Sequence, residues 1–252
     1  MNPVKVRNVN IGDGMPKICV PIIEKTRDEI LGTAKEILHS PADMVEWRVD
    51  WFELVFDIEE VKSVLADLRT TLGEIPILFT FRTKAEGGEK EISYEQYSKL
   101  LKNVADTSLI DLIDVEVFVD DNVADLVTEI QKTGMKVVGS NHDFVKTPVQ
   151  EEIVRRLCYM QDIGVDIPKI AVMPQCKKDV LTLLCATEEM ATKYAERPIV
   201  TMSMAEMGVV TRVAGESFGT AITFGALQKA SAPGQIQVED LKKILEIMHV
   251  EP

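Results

Sequence analysis

Lys169 lies in Ile167-Pro168-Lys169-Ile170-Ala171-Val172-Met173-Pro174, an apolar, β-branched run marked by prolines that reads as a short buried strand. Burial strips an ammonium of hydration and drives its pKa below the ~10.4 of an exposed lysine. The neutral amine so formed is a nucleophile. The plain alternative is a lysine at a strand end that reaches water along its alkyl stem. His142 is the one histidine of three at a predicted strand's carboxyl end, His39 and His249 closing helices. Alone it reads as a hydrogen-bonded structural residue. If its strand adjoins that of Lys169, the two meet, and an amine nucleophile gains a group that moves protons near neutral pH. Arg48, Arg82, Lys84 and Arg212 supply cations for an anionic or hydroxylated substrate. Arg48 and Arg82 would also disfavour a charged Lys169, with Glu46, Glu86 and Glu116 partly balancing them. The alternative for Arg48 is an internal ion pair with Glu46 or Asp50.

These side chains need a scaffold that brings them together. After an alternating stretch at residues 4–11 and the Gly12-Asp13-Gly14 turn, strand-like runs alternate with amphipathic helices. Strands are predicted at 18–23, 44–51, 76–82, 112–118, 136–142, around Lys169, at 198–204 and at 220–224. The helices are predicted at 26–39, 57–72, 93–105, 121–132, 148–164, 177–195, 209–214 and 238–249. Eight such units fit a closed (β/α)₈ barrel, although an open doubly wound sheet shares the rhythm. Side-chain parity helps to choose and favours the barrel. Glu46, Arg48 and Asp50 share one strand face, as do Thr80 with Arg82, Asp114 with Glu116 and Ser140 with His142. Interleaved helices imply parallel strands with a covered outer face, so the polar set needs a lumen. The expected fold is therefore an α/β TIM barrel of one domain, residues 1–252, with the chemistry at the carboxyl ends of its strands. Two loops on that end, residues 84–89 and 230–235, carry the small residues of mobile segments.

With 28 Lys+Arg against 41 Asp+Glu, the chain carries a net charge of −13, which argues against nucleic acid and anionic membrane as partners. Cys19, Cys158, Cys176 and Cys185 show no Cys-x-x-Cys spacing and read as free thiols in a reducing cytoplasm. No zinc spacing, calcium loop or Walker pattern is present, so neither metal nor organic cofactor is expected.

Asp114-Val115-Glu116-Val117, nineteen residues (118–136), then Val137-Val138-Gly139-Ser140-Asn141-His142-Asp143 resembles the signature of type I 3-dehydroquinate dehydratases. Glu46-Trp47-Arg48-Val49-Asp50, Phe81-Arg82, Glu86-Gly87-Gly88, the Lys169 run, Thr201-Met202-Ser203-Met204 and Ser231-Ala232-Pro233-Gly234-Gln235 extend the resemblance over nearly the whole chain. It implies a barrel whose amino-terminal hairpin closes the bottom, a homodimer, and dehydration of 3-dehydroquinate in the shikimate pathway of aromatic amino acid biosynthesis. Lys169 would form the Schiff base, His142 would be the general acid and base, and Glu86 would orient it. Glu46, Arg48, Arg82, Arg212, Ser231 and Gln235 would contact substrate, with Phe144, Met202, Met204 and Phe224 as apolar walls. Pro21 stands where some members carry a hydroxyl residue, so one polar contact is expected to be missing. The residues themselves also admit a class I aldolase using the same imine, or a barrel that binds a small acid without turning it over.

Overall fold

Each helix returns the chain to the same edge from which the preceding strand began, so successive strands pair in parallel. A computed structural model describes residues 1–249; residues 250–252 of the expected single domain lie outside the described residues. A hairpin of β1 (Val4–Val6) and β2 (Val9–Ile11) turns through Arg7 at φ 51°. There follow β3 (Lys17–Ile22), α1 (Arg27–Ile37), β4 (Met44–Arg48), α2 (Ile58–Leu72), β5 (Ile77–Thr80), α3 (Tyr94–Ala105), β6 (Leu112–Glu116) and α4 (Val123–Gln131). Next come β7 (Lys136–Asp143), α5 (Gln150–Asp162), β8 (Ile167–Val172), α6 (Lys177–Glu189), β9 (Val200–Ser203), α7 (Val209–Val213) and α8 (Gly215–Phe218). The chain ends with β10 (Ile222–Ala226), β11 (Ile236–Gln237) and α9 (Val238–Met248). A curled sheet of nine parallel strands runs β11-β10-β3-β4-β5-β6-β7-β8-β9. No helix among the described residues is long and apolar enough to cross a membrane.

The period-2 alternation of the strands is obeyed on both faces. Val20, Val45, Trp47, Phe79, Val115 and Ile170 pack outward against the helices in the main core. The inward residues nearest the strand starts, among them Cys19, Met44, Leu78, Leu112, Val138 and Ile167, form a second apolar cluster that also takes in Val6 and Ile11 of the hairpin. Further along the same inner face the residues turn polar: Glu46, Thr80, Asp114, Glu116, Ser140 and Lys169 are all buried. The layer under the site is apolar and the layer that forms it is polar and charged. Local signals fix the helix starts. Thr26 with Glu29 and Ser93 with Gln96 form capping boxes, and Asp57 accepts the N–H groups of Glu59 and Glu60, each such cap being worth about 1 kcal/mol. At the hairpin end Arg7 donates to Asp111 at 2.5 Å and to Glu74 at 3.0 Å, while Asp111 also accepts from Arg69.

Several predicted boundaries move, three of them where a strand breaks off or a helix changes its winding. The strand expected to reach Trp51 ends at Arg48, and Val49–Trp51 is a 3₁₀ turn. The strand expected to reach Arg82 ends at Thr80. Asp50 ties the two strand ends together, binding the Arg48 guanidinium and accepting the N–H of Arg82. The helix expected to reach Ala195 widens into a π turn at Met190–Tyr194, where the N–H of Ala195 bonds the carbonyl of Met190.

Candidate active site

Strand pairing builds the site. Ser140 of β7 is level with Lys169 of β8, and His142 is level with Ala171, so Lys169 and His142 share the inner face one step apart along the strands. A pocket at the carboxyl ends of the strands is lined by Lys169, His142, Glu86, Glu46, Arg48 and Arg82. Phe144, Met202, Met204, Phe224, Ser231 and Gln235 complete the predicted set on its walls. Arg212 is the exception. It lies just behind that surface, only 2% exposed, donating to the Pro233 carbonyl at 3.2 Å and touching Met202 Sδ at 3.9 Å. Pro21 is level with Glu46 but does not line the cavity.

The Lys169 ammonium is 4% exposed as a residue and sits 3.3 Å from Asp114 Oδ2, 3.6 Å from Glu46 Oε1 and 4.6 Å from the centre of the Phe224 ring. It does not snorkel to water. The charges within ion-pair distance of the amine are carboxylates, whereas the sequence pointed to Arg48 and Arg82 as the dominant neighbours. Both guanidinium groups are occupied elsewhere. Arg48 takes Asp50, not Glu46, in a two-pronged pair with both bonds at 2.8 Å, the geometry that suits a planar guanidinium. Arg82 donates to Asp114 at 2.8 Å, Glu116 at 2.9 Å and Ser140 at 3.0 Å. Burial alone would raise the pKa of Asp114; Arg82 and Lys169 outweigh it and hold the carboxyl below its ordinary value.

Glu86 reaches the site from a 3₁₀ turn at Lys84–Glu86. Its Oε2 accepts the main-chain N–H of His142 and meets Nδ1 of the same residue, both at 2.9 Å, and its Oε1 accepts from Asn141 Nδ2 at 3.1 Å. Burial, then Arg82, Lys169 and Arg48, push the His142 imidazole well below its usual pKa, so it is neutral near pH 7 and can accept a proton. Burial and the Glu116 carboxylate push Glu86 up to about 8, against the pull of Arg82 and of the Asn141 amide. A pair with one labile proton near neutral pH can both take and give, as general acid–base work demands. The turn that delivers Glu86 leaves no spare room: a Cβ on Gly88 would lie 1.9 Å from the Arg82 carbonyl oxygen, and Gly87 has φ 84°. Phe144 stacks on His142 with ring centres 6.5 Å apart.

The loop at 230–235 folds onto the open side. Gln235 accepts the N–H of Ser231 at 2.8 Å and donates to its Oγ at 3.0 Å, and a Cβ on Gly234 would meet the Ala205 carbonyl at 2.3 Å. Asp50, Asp114, Ser140 and Asn141 were absent from the predicted site, yet they hold its members in place. Parity had marked Asp50, Asp114 and Ser140 as inward-facing. Nothing in the sequence marked Asn141 as a partner of Glu86. Among the described residues, no group of three or more His, Cys, Asp or Glu side chains is arranged to hold a metal ion.

Comparison with known proteins places this geometry. The family model described as type I 3-dehydroquinase matches residues 18–252. A 3-dehydroquinate dehydratase of Clostridium botulinum (strain Eklund 17B / Type B) is 56% identical over 247 residues, covering 98% of this chain and 97% of the relative. The structure of type I 3-dehydroquinate dehydratase from Clostridium difficile with covalently modified comenic acid matches with a TM-score of 0.96 at 55% identity, covering 98% of each chain. That of the Geobacillus kaustophilus HTA426 enzyme matches with a TM-score of 0.95 at 37% identity, again covering 98% of each chain.

Proposed function

The chain belongs to the type I 3-dehydroquinase family, and we propose that Lys169, His142 and Glu86 are the groups with which it works. It is a hydro-lyase that removes water from 3-dehydroquinate to give 3-dehydroshikimate. The observation that carries the assignment is that one cavity brings a buried amine, a neutral imidazole and a carboxylate together, with Nδ1 and Oε2 2.9 Å apart. In this reading the Lys169 ammonium first passes a proton to the neutral His142 imidazole and the free amine adds to the ketone carbon, the imidazolium then returning that proton to the adduct's oxygen. The adduct loses its oxygen as water and becomes a protonated imine, whose positive nitrogen draws electrons and acidifies the neighbouring C–H bond. His142 takes that proton, leaving an enamine, and the same imidazolium protonates the departing hydroxyl. Water then hydrolyses the imine and frees both product and amine. Asp114 and Glu46 stabilise cationic states of the Lys169 nitrogen, and the covalent adduct in the Clostridium difficile relative supports a nucleophile in this scaffold.

Arg212 is the group best suited to a substrate carboxylate, because it is buried and holds only a carbonyl and a thioether. Glu46, Arg48, Arg82, Ser231 and Gln235 contact the hydroxyls and the lid side, while Phe144, Met202, Met204 and Phe224 form the walls. The scaffold is read as a closed (β/α)₈ barrel of one domain over residues 1–252, with the hairpin closing its bottom. The parallel bridge between Ile199 and Thr220, which joins the segments leading into β9 and β10, supports closure. So does the bond from the Ala221 N–H to the Ile199 carbonyl at 2.8 Å. The free thiols fit a cytoplasmic location, and exposed apolar side chains such as Leu181 and Ile247 fit a homodimer, which sedimentation tests.

The decisive experiment incubates the protein with 3-dehydroquinate and sodium borohydride and maps the modified peptide by mass spectrometry. A reduced adduct on Lys169, lost in Lys169→Met while that variant still binds substrate, is the expected result. An adduct on another lysine, or turnover by Lys169→Met, would overturn the assignment.

A further inference from the structure

The Glu86–His142 pair is not held by the active-site cavity alone. Asn141 Nδ2 donates to Glu86 Oε1 at 3.1 Å, and Asn141 Oδ1 accepts from Arg156 NH1 at 2.9 Å. Arg156 comes from α5, on the helical side of the sheet. Its Nε donates to Glu152 Oε1 at 2.7 Å, and its guanidinium carbon lies 5.9 Å from the centre of the Phe118 ring. A carboxamide has two unlike ends, one that donates and one that accepts, while a guanidinium only donates and a carboxylate only accepts. Of the two ways to place the Asn141 amide, only one satisfies both neighbours. Turned end for end, it would set oxygen against the Glu86 carboxylate and N–H against the guanidinium.

We propose that Arg156 is a positioning residue for the acid–base pair: its guanidinium locks the Asn141 amide with the donor end toward Glu86, and so holds the Glu86 carboxylate against His142. The proposal rests on the reading of that pair given above. Arg156 touches neither the cavity wall nor Lys169, so it acts through Asn141. The other charges that face Glu86 are Arg82 on its own loop, 3.6 Å away, and Asp114 and Glu116 on β6. His142 on β7 completes them, with Lys169 on β8 and Arg48 at the end of β4 acting on that imidazole. Of these, Arg82 favours the Glu86 anion and the β6 carboxylates oppose it. Asn141 is a neutral donor that adds to Arg82. Its loss therefore leaves the anion harder to form and moves any rate limb that depends on Glu86 ionisation to higher pH.

The test compares pH profiles of kcat for dehydration of 3-dehydroquinate. Arg156→Leu, which keeps apolar bulk over Phe118, is expected to move the rising limb up by about one pH unit and to lower kcat near pH 7 by roughly tenfold, a tenfold change per unit, with KM unchanged. Arg156→Lys, which still offers a donor to Asn141 Oδ1, is expected to recover most of that loss. Asn141→Asp, which replaces the donor with a like charge, is expected to move the limb at least as far. Glu86→Gln serves as the reference for the pair and is expected to abolish the limb. If Glu86→Gln keeps the limb, the reading of the pair fails. If Glu86→Gln loses it while Arg156→Leu keeps both limb and kcat, the relay fails. A fall in kcat in Arg156→Leu with a fixed limb and no recovery in Arg156→Lys would also overturn it, since a merely structural arginine behaves that way.

Discussion

Asp50 offers the sharpest test of how the site is held. Its carboxylate is fully buried and accepts four hydrogen bonds: two from Arg48 at 2.8 Å, one from the Arg82 N–H at 3.3 Å and one from the Glu89 N–H at 3.2 Å. It thus ties β4 to both ends of the turn that carries Glu86. Asp50→Ala leaves the Arg48 guanidinium, whose side chain is 9% exposed, without its counter-charge. Breaking a buried pair in this way costs about 3–5 kcal/mol, and the two orphaned N–H groups add to it unless water enters. About 4 kcal/mol is a large part of the roughly 5–15 kcal/mol that holds a domain together. For a chain of this length each kcal/mol lowers the Tm by about 2–4 °C, so a fall of about 8–16 °C is expected. Asp50→Asn keeps the volume and one acceptor and is expected to lose about half as much. Urea unfolding followed by tryptophan fluorescence reads the change, with kcat measured on the folded fraction. A loss under about 1 kcal/mol would refute the reasoning, because it would show that Arg48 finds equal partners elsewhere and that the turn stands without Asp50.

Gly88→Ala places a methyl 1.9 Å from the Arg82 carbonyl oxygen, so the turn must shift and Glu86 must leave His142. The expectation is a fall in kcat of about 10² or more, the scale of lost acid–base catalysis, while borohydride still traps substrate on Lys169; an unchanged kcat would refute it. Arg212→Gln removes a buried cation that holds no carboxylate, so KM for 3-dehydroquinate is expected to rise by about 10- to 100-fold, as for the loss of a hydrogen bond to a charged group, with a smaller change in kcat. A KM within twofold of the original would remove Arg212 from substrate binding.

Much of this arrangement was legible because strand parity is a rigid constraint. Glu46, Thr80, Asp114, Glu116, Ser140 and Lys169 had to share a face once their strands were placed, and they do. What parity could not settle was pairing. Arg48 had two carboxylates of its own parity within reach, and the choice of Asp50 depends on the chain turning at Val49–Trp51, a bend that an uninterrupted run of strand-forming residues hides. Glu86 was harder still. It lies in a loop, where no periodicity constrains direction, and residue reasoning alone gave it only a balancing charge; its proposed role came from the resemblance. Asn141 and Arg156 could not be paired at all from sequence, because one lies on a strand, the other on the following helix, and Glu86 arrives from 55 positions away to complete the contact.

The cations of the site are not equivalent, and their partners assign them different work. Arg82 is spent on Asp114 and Glu116, so a substrate anion would have to displace carboxylates that are already in good geometry. Arg48 is matched by Asp50 in the same way. Lys169 shares Asp114 with Arg82 and adds Glu46, so its charge is compensated whether it stands as an ammonium or as a protonated imine, and passing between them creates no unpaired cation. Arg212 alone, among these four, has been taken out of water without an anion; burial brings its pKa down to about 10, and its Nε has no hydrogen-bond partner in the described structure. The cost of that desolvation is met when the fold forms, not when substrate arrives. In the reading proposed above, a carboxylate that reaches Arg212 gains a charged hydrogen bond from a group already stripped of water, next to the Pro233 carbonyl that the same guanidinium binds. On that reading, binding of the anion and placement of the 230–235 loop act on one side chain, so Arg212 is expected to govern KM while Glu86 and His142 govern kcat.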